Sequence, residues 1–192
     1  MKKQITAIGV ASVLVAVGLV GLPINTASAA TTDTTVVNVT LTGSLSITSN
    51  QTAVTISLTP VDTTQTSGTA TETITGTSNN GTGFNITAAT ATTDGSLTVA
   101  GTGTDGPIAM TAAGATLSNN SWGAKYASGT GNATAGTVAN GSYIPLSSTG
   151  VIVADTTNAG DRAFTATYGA SANTNISAGT YKTTVTYTIA NK

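Results

Sequence analysis

The side chains in this sequence that could do chemistry are few. The chain carries seven carboxylates and six lysines or arginines, and it has no histidine and no cysteine. That inventory removes the usual general base, the thiol nucleophile and the soft metal ligands. A glycosidase would need two carboxyl groups converging on one cleft. Asp94 and Asp105 each precede a glycine, the habit of turn residues. Asp33 lies close to the N-terminus, and Glu72 has no acidic neighbour in sequence. The expectation is a protein without catalytic residues and without a cofactor.

Three further patterns invite a ligand. Asp155, Asn158 and Asp161 could offer hard oxygens to calcium, but their spacing lacks the alternating acidic loop with a distal glutamate, so a solvated hairpin turn is expected and no metal site. Lys182 could form a lysine crosslink only if buried beside a carboxyl group. It is out of phase with Tyr181, Val185 and Tyr187 and therefore faces outward. Trp122, Tyr126 and Tyr143 are the candidate ligand face, because aromatic rings on a rigid sheet can stack on sugars. The competing expectation for Trp122 is that it plugs one end of the core, as large aromatics usually do.

The elements that would position these residues are strands. Val37, Val39, Leu41, Leu45 and Ile47 alternate with Thr or Ser, and Val54, Ile56 and Leu58 alternate before Pro60. Such period-two patterns predict strands with one buried face. Weaker alternation over 71–75 predicts a third strand, and Phe84, Ile86 and Ala88 a fourth after the Asn79–Gly83 turn. Asp94-Gly95 turns into Leu97 and Val99, and Ile108 and Met110 suggest a short strand. Residues 113–142 read as a long loop with strand pieces. Segments 143–146 and 151–153 follow, then Phe164, Ala166 and Tyr168. The clearest strand runs from Tyr181 to Ile189. About 8–10 short strands with no helical periodicity predict an all-β fold, a two-sheet antiparallel β-sandwich of Ig-like or jelly-roll-like type. The 44 threonines fit that class, being β-branched with a hydroxyl for a wet sheet face.

Residues 1–29 read as a signal peptide. Lys2 and Lys3 precede an uncharged run from Ile5 to Leu22, and Ala27-Ser28-Ala29 is a small-residue cleavage site. The exported chain would start at Ala30, and residues 30–192 would form one domain. Its four basic groups, Lys125, Arg162, Lys182 and Lys192, form no patch for phosphate or lipid headgroups, so neither nucleic acid nor a membrane is an expected partner after cleavage. The absence of cysteine excludes disulfides and lipidation at that site. The C-terminus has neither a hydrophobic tail nor an LPxTG motif.

Three segments carry a resemblance: Asn79–Ile86, Asn119–Gly123 and Ala178–Thr188. In that order the chain resembles small secreted β-sandwich surface proteins of Gram-positive and candidate-phylum bacteria, a group loosely similar to WxL-domain cell-wall proteins and spore-coat-U-like pilus subunits. The resemblance implies a sandwich held noncovalently at the cell surface or built into an assembly. The chain departs from the first group at Trp122-Gly123-Ala124, which is not Trp-x-Leu, and from the second in having no cysteine. The function expected is that of a non-enzymatic, secreted structural or adhesion protein of the bacterial cell surface or matrix. Two alternatives remain open at this point: a module binding glycan or cell-wall polysaccharide, and a pilus or filament subunit that self-assembles by strand exchange.

Overall fold

The computed structural model describes residues 35–99, 106–114, 116–129, 136–138 and 141–192. The expected signal peptide, its cleavage site, Asp33 and Asp105 lie outside the described residues. The chain divides between Thr40 and Leu41 into two units. Residues 35–40 of the first have irregular backbone and exposed side chains. The second unit, Leu41–Lys192, holds every strand and is all-β, with no helix among the described residues.

Its strands are β1 (Leu45–Ser49), β2 (Thr66–Ser78), β3 (Phe84–Thr90), β4 (Thr98–Val99), β5 (Ala109–Met110), β6 (Ser121–Ser128), β7 (Gly136–Val138), β8 (Val151–Thr156), β9 (Gly160–Ala172), β10 (Tyr181–Lys182) and β11 (Val185–Asn191). A five-stranded sheet has the order β1-β2-β9-β6-β5, and a four-stranded sheet the order β11-β3-β8-β7. β4 and β10 form a separate two-stranded ribbon. The four-stranded sheet is antiparallel, with a register shift between Ile86 and Thr87. The five-stranded sheet is mixed, because β5 runs parallel to β6.

β2 and β9 are the spine, paired antiparallel along 13 residues each. Side chains alternate between the two faces of a strand. On β2 the even positions Glu72, Ile74, Gly76 and Ser78 are buried, while Thr73, Thr75 and Thr77 are half-buried on the other face. β9 buries Arg162, Phe164, Ala166 and Tyr168, and β6 buries Trp122, Ala124 and Tyr126. Phe84, Ile86 and Ala88 of β3 and Val153 of β8 join them in one apolar cluster. Gly76 shows how closely the elements approach: a Cβ there would lie 2.7 Å from Ile86 Cδ1, 2.8 Å from Phe84 Cε2 and 3.0 Å from Ile189 Cδ1. Tyr126, Phe164 and Tyr187 meet edge to face, with centroids 5.9–6.4 Å apart.

Several expectations are corrected. The sheets are not uniformly antiparallel, and the short pairs β5–β6 and β4–β10 complicate the simple two-sheet plan. Of the alternating residues Val37 to Ile47, only Ile47 is half-buried. β1 stops pairing at Leu45↔Ser78 because β2 itself ends there. Val54, Ile56 and Leu58 do alternate with exposed neighbours, yet they belong to no ladder. Residues 113–142 contain β6, which pairs with β9 along eight residues. The strand expected from Tyr181 to Ile189 is broken at Thr183 and Thr184, β10 pairing with β4 and β11 with β3. Residues 157–159 do not close a hairpin, since β8 and β9 lie in different sheets.

Candidate functional site

The three aromatic candidates all lie against the five-stranded sheet, and all three are buried. Trp122 is 3% exposed, Tyr126 1% and Tyr143 4%, so none offers an open ring face for a sugar. The reason is phase. Trp122 and Tyr126 occupy the even positions of β6 opposite Ala170 and Ala166 of β9, and that side faces the core. Trp122 donates its indole N–H to the Gly95 carbonyl at 2.8 Å. This satisfies its one polar group, and the ring belongs to the core cluster.

Tyr143 lies on the opposite face of the same sheet. Its backbone exchanges two hydrogen bonds with Gly114, at 2.7 and 3.1 Å. Its ring covers Gly123 of β6 and Gly169 of β9, which are cross-strand partners. A Cβ on Gly123 would stand 3.1 Å from Tyr143 Cδ1, and one on Gly169 would stand 3.0 Å from Tyr143 Cζ. The glycine pair is the slot that admits the ring. Lys125 Nζ sits 5.2 Å from the ring centroid, within cation–π range. Burial raises the Tyr143 phenol above its ordinary value. An open groove of about 480 Å³ runs beside this pair, lined by Gln65, Ser67, Thr69, Leu117, Lys125 and Tyr143. It offers hydroxyls, an amide and one positive charge, and no carboxylate among the described residues lines it.

A second constellation lies in the core. Tyr168 donates its phenolic O–H to Glu72 Oε1 at 2.5 Å, and Ser49 Oγ stands 2.7 Å from Oε2. The Tyr168 and Tyr187 oxygens are 2.7 Å apart. With the Tyr168 proton committed to the carboxylate, Tyr187 is the donor of that bond. Burial, reinforced by the Glu72 contact, pushes the Tyr168 phenol far up, and burial does the same for Tyr187. Tyr126 is also pushed up, by burial first and by the Tyr187 hydroxyl second. Its own hydroxyl meets no hydrogen-bond geometry.

Sequence reasoning placed Glu72 on a strand without finding its partners. The signal was its phase: Glu72 shares the even register of Ile74, and Tyr168 that of Phe164. A carboxylate in phase with apolar residues must find donors inside.

Three other carboxylates are spent locally. Asp94 accepts from the Ser96 N–H at 3.0 Å and the Ser96 hydroxyl at 2.8 Å, and the backbone bond holds its pKa below the ordinary value. Asp62 accepts from the Thr64 N–H at 2.6 Å. Asp155 pairs with Lys192, which also donates to the Thr156 carbonyl at 2.6 Å. No group of three His, Cys, Asp or Glu side chains that could hold a metal occurs among the described residues. Lys182 is exposed, on β10 opposite Thr98. No family model, no curated protein and no solved structure matches this chain.

Proposed function

We propose that the chain is an exported, non-enzymatic structural protein of the bacterial cell surface or extracellular matrix, with the five- and four-stranded sheets as the two layers of a sandwich. One observation carries the non-catalytic reading. Of the five carboxylates among the described residues, four (Glu72, Asp62, Asp94 and Asp155) are each committed to a structural partner, on separate elements. A catalytic carboxylate pair needs two such groups facing one cleft. Support for the sandwich is the shared apolar cluster, to which both sheets contribute. Support for export is the Lys2-Lys3 start, the apolar run and the Ala27-Ser28-Ala29 site. Fractionation of producing cells with an antibody to the chain tests the reading. Recovery in wall, matrix or medium, starting at Ala30, is expected. Recovery in the cytoplasm with Met1 retained would overturn it.

The groove beside Tyr143 favours a second reading, a glycan-binding module. Its hydroxyls and Lys125 would bind a polyhydroxylated chain, with the Tyr143 edge as an apolar wall. Sedimentation with purified peptidoglycan separates the two: retention lost in Lys125→Ala supports the module, and no retention of the unsubstituted protein removes it.

A further inference from the structure

β11 ends the four-stranded sheet, and its register shows which backbone groups are left over. The Ala91 N–H donates to the Thr184 carbonyl at 3.1 Å, and the Lys192 N–H donates to the Gly83 carbonyl at 3.1 Å. β11 pairs with β3 antiparallel from Val185↔Thr90 to Asn191↔Phe84. In such a ladder alternate residues turn both backbone groups toward the same neighbour. The even positions of β11 therefore serve β3. Val185, Tyr187 and Ile189 turn their N–H and C=O groups to the other side, where no strand follows in the sheet order. Edges are commonly protected by charge, proline or a bulge. β11 reads Val-Thr-Tyr-Thr-Ile-Ala-Asn and has none of these over its seven residues.

Residues 35–41 have the complementary deficiency. They read Thr-Val-Val-Asn-Val-Thr-Leu, β-branched and uncharged, without glycine or proline. Val36, Val37, Val39 and Leu41 are 78–85% exposed, and the segment pairs with no strand. An edge needs a strand, and these strand formers need an edge and a cover. Asn79 holds the residues that follow the segment. Its Oδ1 accepts from the Ser44 N–H at 2.7 Å, its amide donates to the Thr42 carbonyl at 2.8 Å, and its own N–H donates to the Ser44 carbonyl at 3.3 Å.

We propose that residues 35–41 of one molecule add as a strand to the β11 edge of a second copy of this chain. Donor and acceptor surfaces differ, so the contact is heterologous and repeats into open chains of molecules. Self-association of this kind needs neither catalysis nor a bound sugar, and it is independent of where the protein resides.

The chain has no cysteine, so introduced thiols are unique reporters. Asn38→Cys and Thr186→Cys, both at exposed positions, are made in separate full-length chains, one carrying a mass label. Sedimentation of the unsubstituted protein should show assemblies that grow with concentration. Mixing the two variants under mild oxidation should give a disulfide between a labelled and an unlabelled molecule. Val37→Asp with Val39→Asp in one chain should weaken association at least tenfold while the far-ultraviolet circular dichroism stays unchanged. A concentration-independent monomer overturns the proposal. So does a disulfide between the two introduced thiols that forms only when both are in one chain, because the segment would then dock on its own edge. Undiminished assembly of the double aspartate variant overturns it as well.

Discussion

Two short segments of this chain carry the same signal and meet different fates. Val37, Val39 and Leu41 alternate with polar residues, and so do Val54, Ile56 and Leu58. The first set is 78–85% exposed, while the second is half-buried and packed against the core cluster. Neither lies in a ladder. What separates them is the surface available. The N-terminal half of β2 presents Gly68, whose missing side chain leaves room: a Cβ there would lie 3.1 Å from both Ile56 Cγ2 and Leu58 Cδ2. The second segment therefore serves as a lid without being a strand. Alternation states that one face seeks burial, and it leaves open what will bury it.

Alkali gives the largest test of how dry an interior the Val54–Leu58 lid helps to close. Tyr126, Tyr168 and Tyr187 have folded pKa values raised above the ordinary phenol value of 10, burial being the first cause for each. Their contribution is fully present below pH 10. Above it the unfolded chain releases tyrosyl protons that the folded chain retains, so stability falls as pH rises. Each such tyrosine costs about 1.4 kcal/mol per pH unit. Urea titrations at pH 8, 10 and 11 should show a flat region and then a steep loss, and a flat profile to pH 11 would mean that water reaches these phenols.

Within the comparison itself, Leu58→Asp should cost about 3 kcal/mol, by placing a charge against apolar neighbours. Val39→Asp should stay within about 0.5 kcal/mol. Equal shifts in the urea midpoint would show that the two segments are packed alike. Beneath the lid, Tyr168→Phe should cost about 2 kcal/mol, since Glu72 loses a donor while remaining buried. Tyr126→Phe should cost less, within about 1 kcal/mol, because its hydroxyl has only a poorly aligned contact with the Tyr187 hydroxyl to lose. Chemical unfolding of both variants reads the difference, and a comparable loss for each would place an unseen partner on Tyr126. The smallest effect sharpens the cause. Gly68→Ala should cost about 1 kcal/mol by crowding Ile56 and Leu58, and an unchanged midpoint would show that the lid is loose.

Legibility elsewhere in the chain had the same physical origin. Strand positions came through where large apolar residues alternate, as at Phe84, Ile86 and Ala88 of β3 or Phe164, Ala166 and Tyr168 of β9. β2 was undersized in the sequence because its inward positions are Gly68, Ala70, Glu72, Ile74, Gly76 and Ser78, with a single large apolar residue among them. β6 was missed for a related reason. Its inward Trp122 and Tyr126 do alternate with outward Gly123 and Lys125, but the surrounding run of Gly, Ala, Ser and Asn masks so short a pattern. The candidate rings were identified by type, and their burial followed from a register that type does not report.

By itself the sequence determined the all-β class, the turn at Asn79–Gly83 and the outward face of Lys182. These follow from local rules: β-branched residues favour extended backbone, Gly83 supplies a φ of +85°, and residue parity sets a side chain's face. Tertiary structure alone decided that Tyr143 lies in a slot made by Gly123 and Gly169, that Glu72 meets Tyr168, and that β11 is the last strand of its sheet. Each depends on the register between strands far apart in sequence. Pairing of that kind is set by how small and large side chains interlock across the core, which no local pattern contains.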